Sequence, residues 1–387
     1  MFRFDPYSPA IDADPFPAYK RLRDEFPCFW SEEAGMWVLS RHADILSALT
    51  NWRTYSSAKG NLVDEFPGRA GATLGSTDPP RHDRLRALIQ SAMTKRALDH
   101  AIDPARGSVR AHLAALEGRD EFDFVSELGS KVTVDLLFYL FALPPDNADE
   151  VRANAVLMVQ TDPVTRQKTE AHLGAFRWMA DYAENLVQER KRNPGDDLLS
   201  NFITAEIDGE KLLDREVQLT VTTLIMAGIE SLSGFLGMFA LNLADFPDAR
   251  RALVADPTLI PDAIEESLRF NTSAQRFKRT LTQETELHGQ TMKAGDAVIL
   301  AYGAANRDER VFADPDTYDI ARRPKKHLGF GGGVHACLGS MLARVATQIV
   351  FEELLATVPD FTRTQEQLAW VPSSNFRSPV ALPLRRG

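Results

Sequence analysis

The side chain with the most distinctive chemistry is Cys337, which lies in the glycine-rich run Phe330–Gly339. Apolar residues then recur at helical spacing: Leu338, Met341, Leu342, Val345 and Ile349. Glycine lets the backbone adopt positive φ angles and lets a large flat ligand come close. We therefore predict that Cys337 lies at the start of a helix, where free N–H groups and the helix dipole favour a thiolate. A thiolate in such a loop is suited to bind haem iron, and this ligation promotes O–O cleavage.

Two other interpretations of this run remain open at this point. The spacing of Gly331, Gly333 and Ala336 matches the dinucleotide-binding fingerprint, but that fingerprint follows a buried strand. The preceding residues, Arg322–His327, are mostly basic and do not form such a strand. Alternatively, Cys337 is an inert core cysteine, which is a common role for a free cysteine. The rest of the chain has to decide between these interpretations.

A long apolar segment carries a second group of residues suited to chemistry. From Val217 to Leu243 the only charged residue is Glu230, and Ser231 follows it directly. Length and apolarity alone would allow a membrane span. A carboxyl near the centre and the lack of a basic cluster at either end favour the central helix of a globular core. Beside a hydroxyl the acid could pass protons to a ligand; the alternative is a buried acid that is neutral or paired.

Two pairs of charged residues have helical spacing. Glu266 and Arg269 are three residues apart and His82 and Arg86 are four apart, so each pair shares one face of a predicted helix. The segment Asp78–Pro80 precedes the second pair, and an acidic residue followed by prolines is typical of a helix start. Either pair taken alone could be an ordinary solvated pair.

Together, these segments resemble the cytochrome P450 monooxygenases. The run around Cys337 has the form Phe-Gly-x-Gly-x-x-x-Cys-x-Gly, and Glu266–Arg269 supplies a Glu-x-x-Arg motif upstream of it. Residues 78–86 match Asp-Pro-Pro-x-His-x-x-x-Arg. Residues 227–231 match Ala/Gly-Gly-x-Asp/Glu-Thr, except that Ser231 stands where threonine is usual. The resemblance extends from about residue 36 to residue 384.

The resemblance implies a haem b cofactor with Cys337 as its axial ligand. The haem would be surrounded by small or aromatic residues on its faces, namely Ala227, Gly228, Phe330 and Gly339. Its two propionates would pair with cationic groups from separate segments, namely His82, Arg86, Arg279 and His335. A structural charge network would join Glu266, Arg269 and Arg322. The substrate pocket would include side chains of four further segments, namely Leu74, Leu224, Thr272, Ala274 and Phe376.

The implied activity is hydroxylation or O-dealkylation of a small or medium organic substrate. In this reaction R–H, O2, two electrons and two protons give R–OH and water. Glu230 and Ser231 would deliver the protons, and a ferredoxin or flavodoxin with its NAD(P)H reductase would supply the electrons. Serine lacks the methyl group that restricts threonine, which keeps a hydrogen-peroxide-driven peroxygenase of the same fold as an alternative. A non-catalytic haem sensor or electron carrier is the alternative of another class, but it would not need a proton relay.

Composition narrows the remaining possibilities. The 387 residues carry a formal net charge of −10, which argues against nucleic acid as a general partner. The two cysteines, Cys28 and Cys337, provide no disulfide framework, and the N-terminal residues lack an apolar signal or anchor. We therefore expect a soluble cytoplasmic protein that does not bind membranes.

Basic residues near the cysteine loop could dock an acidic electron carrier or be solvated charges: Arg81, Arg84, Arg323, Lys325, Lys326 and Arg344.

The elements that must position these residues are predicted to be mostly helical. We predict a single domain over 1–387, mainly α with a small β region and a long central helix over the haem. Predicted helices and strands have these bounds: helices over 15–26, 43–49, 214–244 and 261–270, and strands over 36–40, 277–287 and 297–300. A helix starting at Cys337 and a terminal hairpin ending near Leu384 complete the prediction.

Overall fold

Helices dominate the computed structural model of the protein, which describes residues 2–162, 164–165 and 167–387. The helices in this part of the chain are α1 Pro9–Ala13, α2 Phe16–Glu25, α3 His42–Thr50, α4 Arg81–Ala92, α5 Lys95–Ala114, α6 Ser130–Phe141, α7 Ala148–Val159, α8 Glu170–Arg192, α9 Leu198–Thr204, α10 Asp214–Asp245, α11 Pro247–Ala255, α12 Ile260–Phe270, α13 Tyr302–Ala305 and α14 Ser340–Thr357. The strands are β1 Cys28–Ser31, β2 Met36–Leu39, β3 Tyr55–Ser56, β4 Glu121–Asp123, β5 Glu206–Ile207, β6 Glu210–Lys211, β7 Arg276–Leu281, β8 Thr285–Leu287, β9 Gln290–Met292, β10 Ala297–Ala301, β11 Phe361–Arg363 and β12 Pro383–Arg386. The predicted class, mainly α with small sheets, is confirmed.

Two predicted elements near the end of the chain were placed wrongly. The helix predicted to begin at Cys337 begins at Ser340, because a turn at Leu338 and Gly339 separates the cysteine from the first helical residue. The predicted terminal hairpin is a three-stranded sheet in the order β11-β12-β4. Its third strand comes from a distant part of the chain, and local alternation cannot reveal such a partner.

The central helix α10 organises the largest hydrophobic core. At about 1.5 Å per residue its 32 residues span roughly 48 Å, enough to cross a domain. It begins where the carboxylate of Glu216 accepts the backbone N–H of Leu213, and it ends just before Pro247 starts the next helix. Of the described helices it alone is long and apolar enough to span a membrane, yet 72% of its most apolar stretch is buried in the protein. This burial matches a core helix, as the sequence predicted.

The largest sheet lies beside the helical core and has the strand order β1-β2-β10-β7-β3. Its central pair, β2 and β10, is parallel, and the other pairs are antiparallel. Side chains alternate between the two faces of a strand. This alternation places Arg279 of β7 opposite Val298 and buries it. The sheet therefore delivers one of the predicted cationic groups to the interior.

A buried charge network fixes α12 against the segment before the cysteine loop. Glu266 and Arg269 are both fully buried and form two hydrogen bonds of 2.7 and 2.8 Å. Arg322 donates from Nε to Glu266 Oε1 at 3.2 Å, and the N–H of Asp319 binds the same oxygen at 3.0 Å. Arg269 also donates to the carbonyls of Asn306, Pro315 and Thr317, so both charges are surrounded by partners.

Replacing Glu266 should destabilise the protein strongly. The change Glu266→Ala leaves the Arg269 guanidinium buried without its carboxylate, and removing one partner of a buried pair typically costs about 3–5 kcal/mol. We expect a clearly lower thermal unfolding midpoint. The matched control is Glu25→Ala, which breaks an exposed pair with Arg21 on α2 and should change the midpoint far less. Equal shifts in the two variants would show that the network does not hold the fold.

Candidate active site

A cavity of about 340 Å³ brings together residues from most of the segments that the sequence singled out. It lies between α10 and the cysteine loop. The predicted residues that line it are Leu74, Arg86, Leu224, Ala227, Gly228, Ser231, Thr272, Ala274, Arg279, Phe330, His335, Cys337, Gly339 and Phe376. Five predicted residues lie outside its wall: His82, Glu230, Glu266, Arg269 and Arg322. The cavity is therefore the candidate active site, and these five residues do not line it.

Two glycines allow the cysteine loop to pack tightly under this cavity. Gly331 and Gly333 have φ angles of +66° and +63°, which glycine adopts without strain. A Cβ atom on Gly333 would lie 1.9 Å from the carbonyl oxygen of Leu49 on α3. The Cys337 N–H donates to the Phe330 carbonyl at 2.9 Å and closes the loop. The sulfur of Cys337 thus has a defined position on the cavity wall.

The Cys337 thiol does not have the low pKa that a helix start would predict. The residue is exposed at the cavity wall, yet the protein atoms packed around its sulfur desolvate it and raise its pKa above the ordinary value, while the Gly339 N–H and the charges of Arg86 and Arg344 act in the opposite direction. The helix begins three residues later, at Ser340, so its dipole is less effective at the sulfur. In the protein alone, desolvation of the sulfur has a larger effect on its pKa than the Gly339 N–H and the two arginines together. A bound metal ion reverses the balance, because a coordinating thiol gives up its proton.

A second ionic cluster contacts the start of the cysteine loop. Arg344 donates two hydrogen bonds to Glu265, at 2.5 and 2.9 Å, and the His327 ring approaches the same carboxylate at 2.9 Å. Burial would raise the pKa of Glu265, but hydrogen bonds from Arg344 and His327 lower it to about 2. The Arg344 guanidinium lies 4.5 Å from the centre of the Phe330 ring. The cluster therefore joins α12 and α14 to the aromatic residue at the start of the loop.

Four groups that carry or can carry positive charge meet at one side of the cavity. The rings of His82 and His335 lie 4.5 Å apart, and Arg86 donates to the carbonyls of Val334 and Ala336. Burial lowers the pKa of His335 to about 3, and the charges of Arg279, His82 and Arg86 act in the same direction. The Nε2 atoms of both histidines are buried and have no hydrogen-bond partner within the described residues. Such a site favours an anionic ligand.

The residues present fit a haem. Its two propionate carboxylates would match the cluster of Arg86, Arg279 and the two histidines, and they would offer acceptors to the orphaned Nε2 atoms. Its iron would match the sulfur of Cys337, which lines the same cavity. These two requirements are chemically different, and the chain meets them at one cavity.

Helix α10 forms the opposite wall of the cavity. Ala227, Gly228 and Ser231 line it, and the Ser231 hydroxyl donates to the carbonyl of Ala227 one turn earlier. A Cβ atom on Gly228 would lie 3.1 Å from a methyl group of Leu137 on α6. The small size of Gly228 therefore lets α10 approach α6, and the same residue lines the cavity in which the sequence predicted a haem.

Glu230 points away from the cavity wall, although the sequence placed it beside the ligand. Its Oε1 accepts a hydrogen bond of 3.1 Å from Ser378, and only 6% of the residue is exposed. Burial raises its pKa to about 7, while the Ser378 bond and the charge of Lys168 act in the opposite direction. The carboxyl therefore exchanges its proton near neutral pH, which suits a group that transfers protons.

The pocket also contains residues that the sequence did not reveal. Arg69, four leucine or phenylalanine side chains of α6 and Tyr302 line the cavity beside the predicted pocket residues. Ala274 and Phe376 pair across an isolated bridge, so two predicted pocket residues from distant segments are neighbours. Local spacing does not reveal what the apolar face of a helix such as α6 will contact.

Comparisons with known proteins agree with this geometry. The sequence model of the family described as Cytochrome P450 matches residues 16–358. The chain is 32% identical over 386 residues to putative cytochrome P450 123 of Mycobacterium tuberculosis, covering 98% of this chain and 96% of the relative. It is 34% identical over 395 residues to nocardicin C N-oxygenase of Nocardia uniformis subsp. tsuyamanensis, covering 98% and 97%. The solved structure of cytochrome P450 CYP109Q5 from Chondromyces apiculatus matches with a TM-score of 0.91 at 28% identity, covering 99% of this chain and 98% of that chain.

A side chain at position 333 should disrupt the cysteine loop. Gly333→Ala forces a non-glycine residue into left-handed backbone, at about 1–2 kcal/mol, and adds an overlap with Leu49. We expect a lower unfolding midpoint and less haem bound per chain. Gly107→Ala on α5 is the control, since its Cβ meets no atom within 4 Å and its helical backbone suits alanine. If both variants bind haem equally well, the loop does not need a glycine at 333.

Proposed function

The chain belongs to the cytochrome P450 family, a family of haem-thiolate monooxygenases, and we propose that it inserts one oxygen atom of O2 into a small or medium organic substrate, with Cys337 as the iron ligand. The observation that carries this proposal is that Cys337 from the loop and Ser231 from α10 line one cavity. When bound through a thiolate, haem supplies the chemistry of O–O cleavage and oxygen transfer. The chain itself must bind the cofactor, place the substrate and deliver protons.

Cofactor binding is assigned to residues of four segments. His82 and Arg86 of α4, Arg279 of β7 and His335 of the loop would hold the propionates, and the two unpartnered histidine nitrogens support this assignment. Phe330 and Gly339 flank Cys337 in the loop, and Ala227 and Gly228 belong to the opposite wall. Each of these residues except His82 lines the cavity, and His82 packs against His335.

Proton delivery is assigned to Glu230 and Ser231. Ser231 lies on the cavity wall and Glu230 lies behind it, so the pair connects the cavity with the protein interior. With a pKa of about 7, Glu230 can both accept and release a proton at neutral pH. The Ser231 hydroxyl is bonded to the Ala227 carbonyl, which holds its oxygen at the wall as an acceptor.

Electrons are proposed to come from a small acidic carrier, a ferredoxin or flavodoxin, with its NAD(P)H reductase. Lys325 and Lys326 are exposed in the segment that leads into the cysteine loop, and Met341 nearby is 59% exposed. The four other basic candidates are already engaged, because Arg81 and Arg84 pair with Glu216, Arg323 with Asp262 and Arg344 with Glu265. Opposite charges at such a surface accelerate docking more than they add affinity.

The substrate is proposed to contact Leu74, Leu224, Thr272, Ala274 and Phe376, all of which line the cavity. The relative named nocardicin C N-oxygenase shares about a third of its residues with this chain, which does not transfer its substrate. A ligand screen that follows the haem spectrum would identify the class of molecule bound.

We propose a cytoplasmic location, in line with the buried position of the one candidate spanning helix among the described residues.

Cys337→Ala should abolish the thiolate-ligated centre without preventing folding. The alanine removes the sulfur while keeping the backbone of the loop, which glycines and main-chain bonds define. The measurement is the absorption spectrum of the reduced protein with carbon monoxide. Cys28→Ala is the control, since that cysteine is buried against Met292 and should leave the thiolate-type band in place. A thiolate-type band in the Cys337 variant would refute the ligand assignment.

Glu230→Gln and Ser231→Ala should separate the monooxygenase from the peroxygenase. If the two residues deliver protons, each change should reduce product per NAD(P)H consumed and release more peroxide, because acid–base assistance contributes about 10²–10⁴ in rate. Turnover driven by added hydrogen peroxide brings its own protons and should fall less. Full coupling in both variants, together with faster turnover of the unchanged protein on peroxide than on O2, would favour the peroxygenase.

A further inference from the structure

The two relay residues are each held by a serine from a loop that also lines the substrate pocket. Ser378 donates to the carboxylate of Glu230 at 3.1 Å, and Ser273 donates to the backbone carbonyl of Ser231 at 3.1 Å. Both serines are almost fully buried, at 4% exposure each. Neither was singled out by any sequence motif, since each lies in irregular backbone far from α10 along the chain.

Direct packing against α10 brings both serines to the relay. A Cβ atom on Gly234, one turn after Glu230, would lie 3.0 Å from the Cβ of Ser378 and 3.4 Å from that of Ser273. A larger residue at 234 would push the two loops away from the helix. The glycine therefore permits a hydroxyl from the C-terminal segment to reach the carboxylate.

The backbone on both sides of Ser378 is anchored, so its hydroxyl is a preorganised donor. The Ser378 carbonyl accepts the N–H of Val371, and the N–H of Arg377 donates to the Ser273 carbonyl at 2.8 Å. The Arg377 side chain donates to the carbonyls of Asp12 and Ala13 and to the Asn271 side chain. Ser378 thus cannot follow Glu230 if the carboxyl moves, and it holds one of its oxygens in place.

The charged groups around Glu230 are few. Lys168, between α7 and α8, is the only charged group that acts on it within the described residues, and it does so at a distance without a direct bond. Lys168 itself donates to the carbonyls of Met158 and Gln160. The second oxygen of Glu230, Oε2, has no hydrogen-bond partner among the described residues.

We infer that Ser378 is a positioning residue for the proton relay: its hydroxyl holds Oε1 of Glu230 and leaves Oε2 as the oxygen that exchanges protons. The inference rests on the proposed function, because it deepens the role of Glu230. It also connects the substrate pocket with the relay, since Phe376 on the same short segment lines the cavity.

The pH dependence follows from the direction of the shift. Glu230 has a folded pKa of about 7, above its ordinary value of 4.5. The folded protein therefore binds more protons than the unfolded chain between these values, and Glu230 reduces stability as pH rises through that window. The Ser378 bond favours the charged carboxylate. Its loss should strengthen proton binding by about ten- to a hundredfold, which is the usual range for a hydrogen bond to a charged group.

The experiment measures the protonation of Glu230 directly in the haem-loaded full chain. Infrared difference spectra between acidic and alkaline buffers contain the carbonyl band of a protonated carboxyl, assigned by its loss in Glu230→Gln. In Ser378→Ala we expect the titration midpoint of this band to rise by about one to two pH units. Ser378→Thr keeps the hydroxyl and should restore the midpoint. Ser273→Ala is the matched control, because it removes a buried serine hydroxyl from the same region without a bond to Glu230.

Each outcome decides the inference. An unchanged midpoint in Ser378→Ala, or the same rise in Ser273→Ala, would overturn it. If Ser378→Ala does not fold, Ser378→Cys replaces it, because cysteine has a similar size but is a weak donor. This variant should also raise the titration midpoint. An unchanged midpoint in Ser378→Cys would overturn the inference as well. The measurement needs no turnover. A normal thiolate-type spectrum with an unchanged midpoint would therefore reject Ser378 alone, whereas loss of that spectrum in the unchanged protein would reject the proposed function.

Discussion

The cost of burying charge governs the whole site. At the cavity wall the surrounding protein raises the pKa of the Cys337 thiol and lowers that of His335 to about 3, and behind the wall burial raises the pKa of Glu230 to about 7. All three shifts favour the neutral form, which is what removal from water predicts. A haem brings the two charges that this environment lacks: a cation beside the sulfur and anions beside the cationic cluster. The cofactor and the buried groups thus stabilise each other.

Such a site requires a rigid scaffold, because the buried groups must keep their positions when the cofactor is absent. The Glu266–Arg269–Arg322 network and the Glu265–Arg344–His327 cluster hold the segments below the cysteine loop. Both use neighbouring glutamates of α12, so one helix anchors the loop by two independent ionic contacts. Buried ion pairs add little net stability, because desolvation offsets their attraction, but a broken pair is costly. Their contribution here is to make one loop geometry much more favourable than any other.

The wall formed by α10 combines two requirements that oppose each other. The helix is apolar because it lies in the core, yet it carries Ser231 on the cavity wall and the buried acid Glu230 beside it. The chain meets both by placing Ser231 at the cavity and turning Glu230 toward the C-terminal segment, where Ser378 supplies a partner. A carboxyl pointing into an apolar cavity would have no such partner and would stay protonated well above neutral pH. The orientation of Glu230 therefore keeps its pKa near 7.

The sequence by itself determined the elements and the chemistry available to them. Apolar periodicity predicted α10 and α12, alternation predicted β2, and the spacing around Cys337, Glu266 and Glu230 identified the family and its cofactor. Tertiary structure alone decided which atoms face each other. Glu230 and Ser378 are 148 positions apart, the Cβ direction of Gly228 points at Leu137, and Arg344 binds Glu265 of another helix. Periodicity fixes the face on which a side chain lies, because backbone geometry is local. The partner on that face comes from packing between distant segments, and no local spacing encodes it.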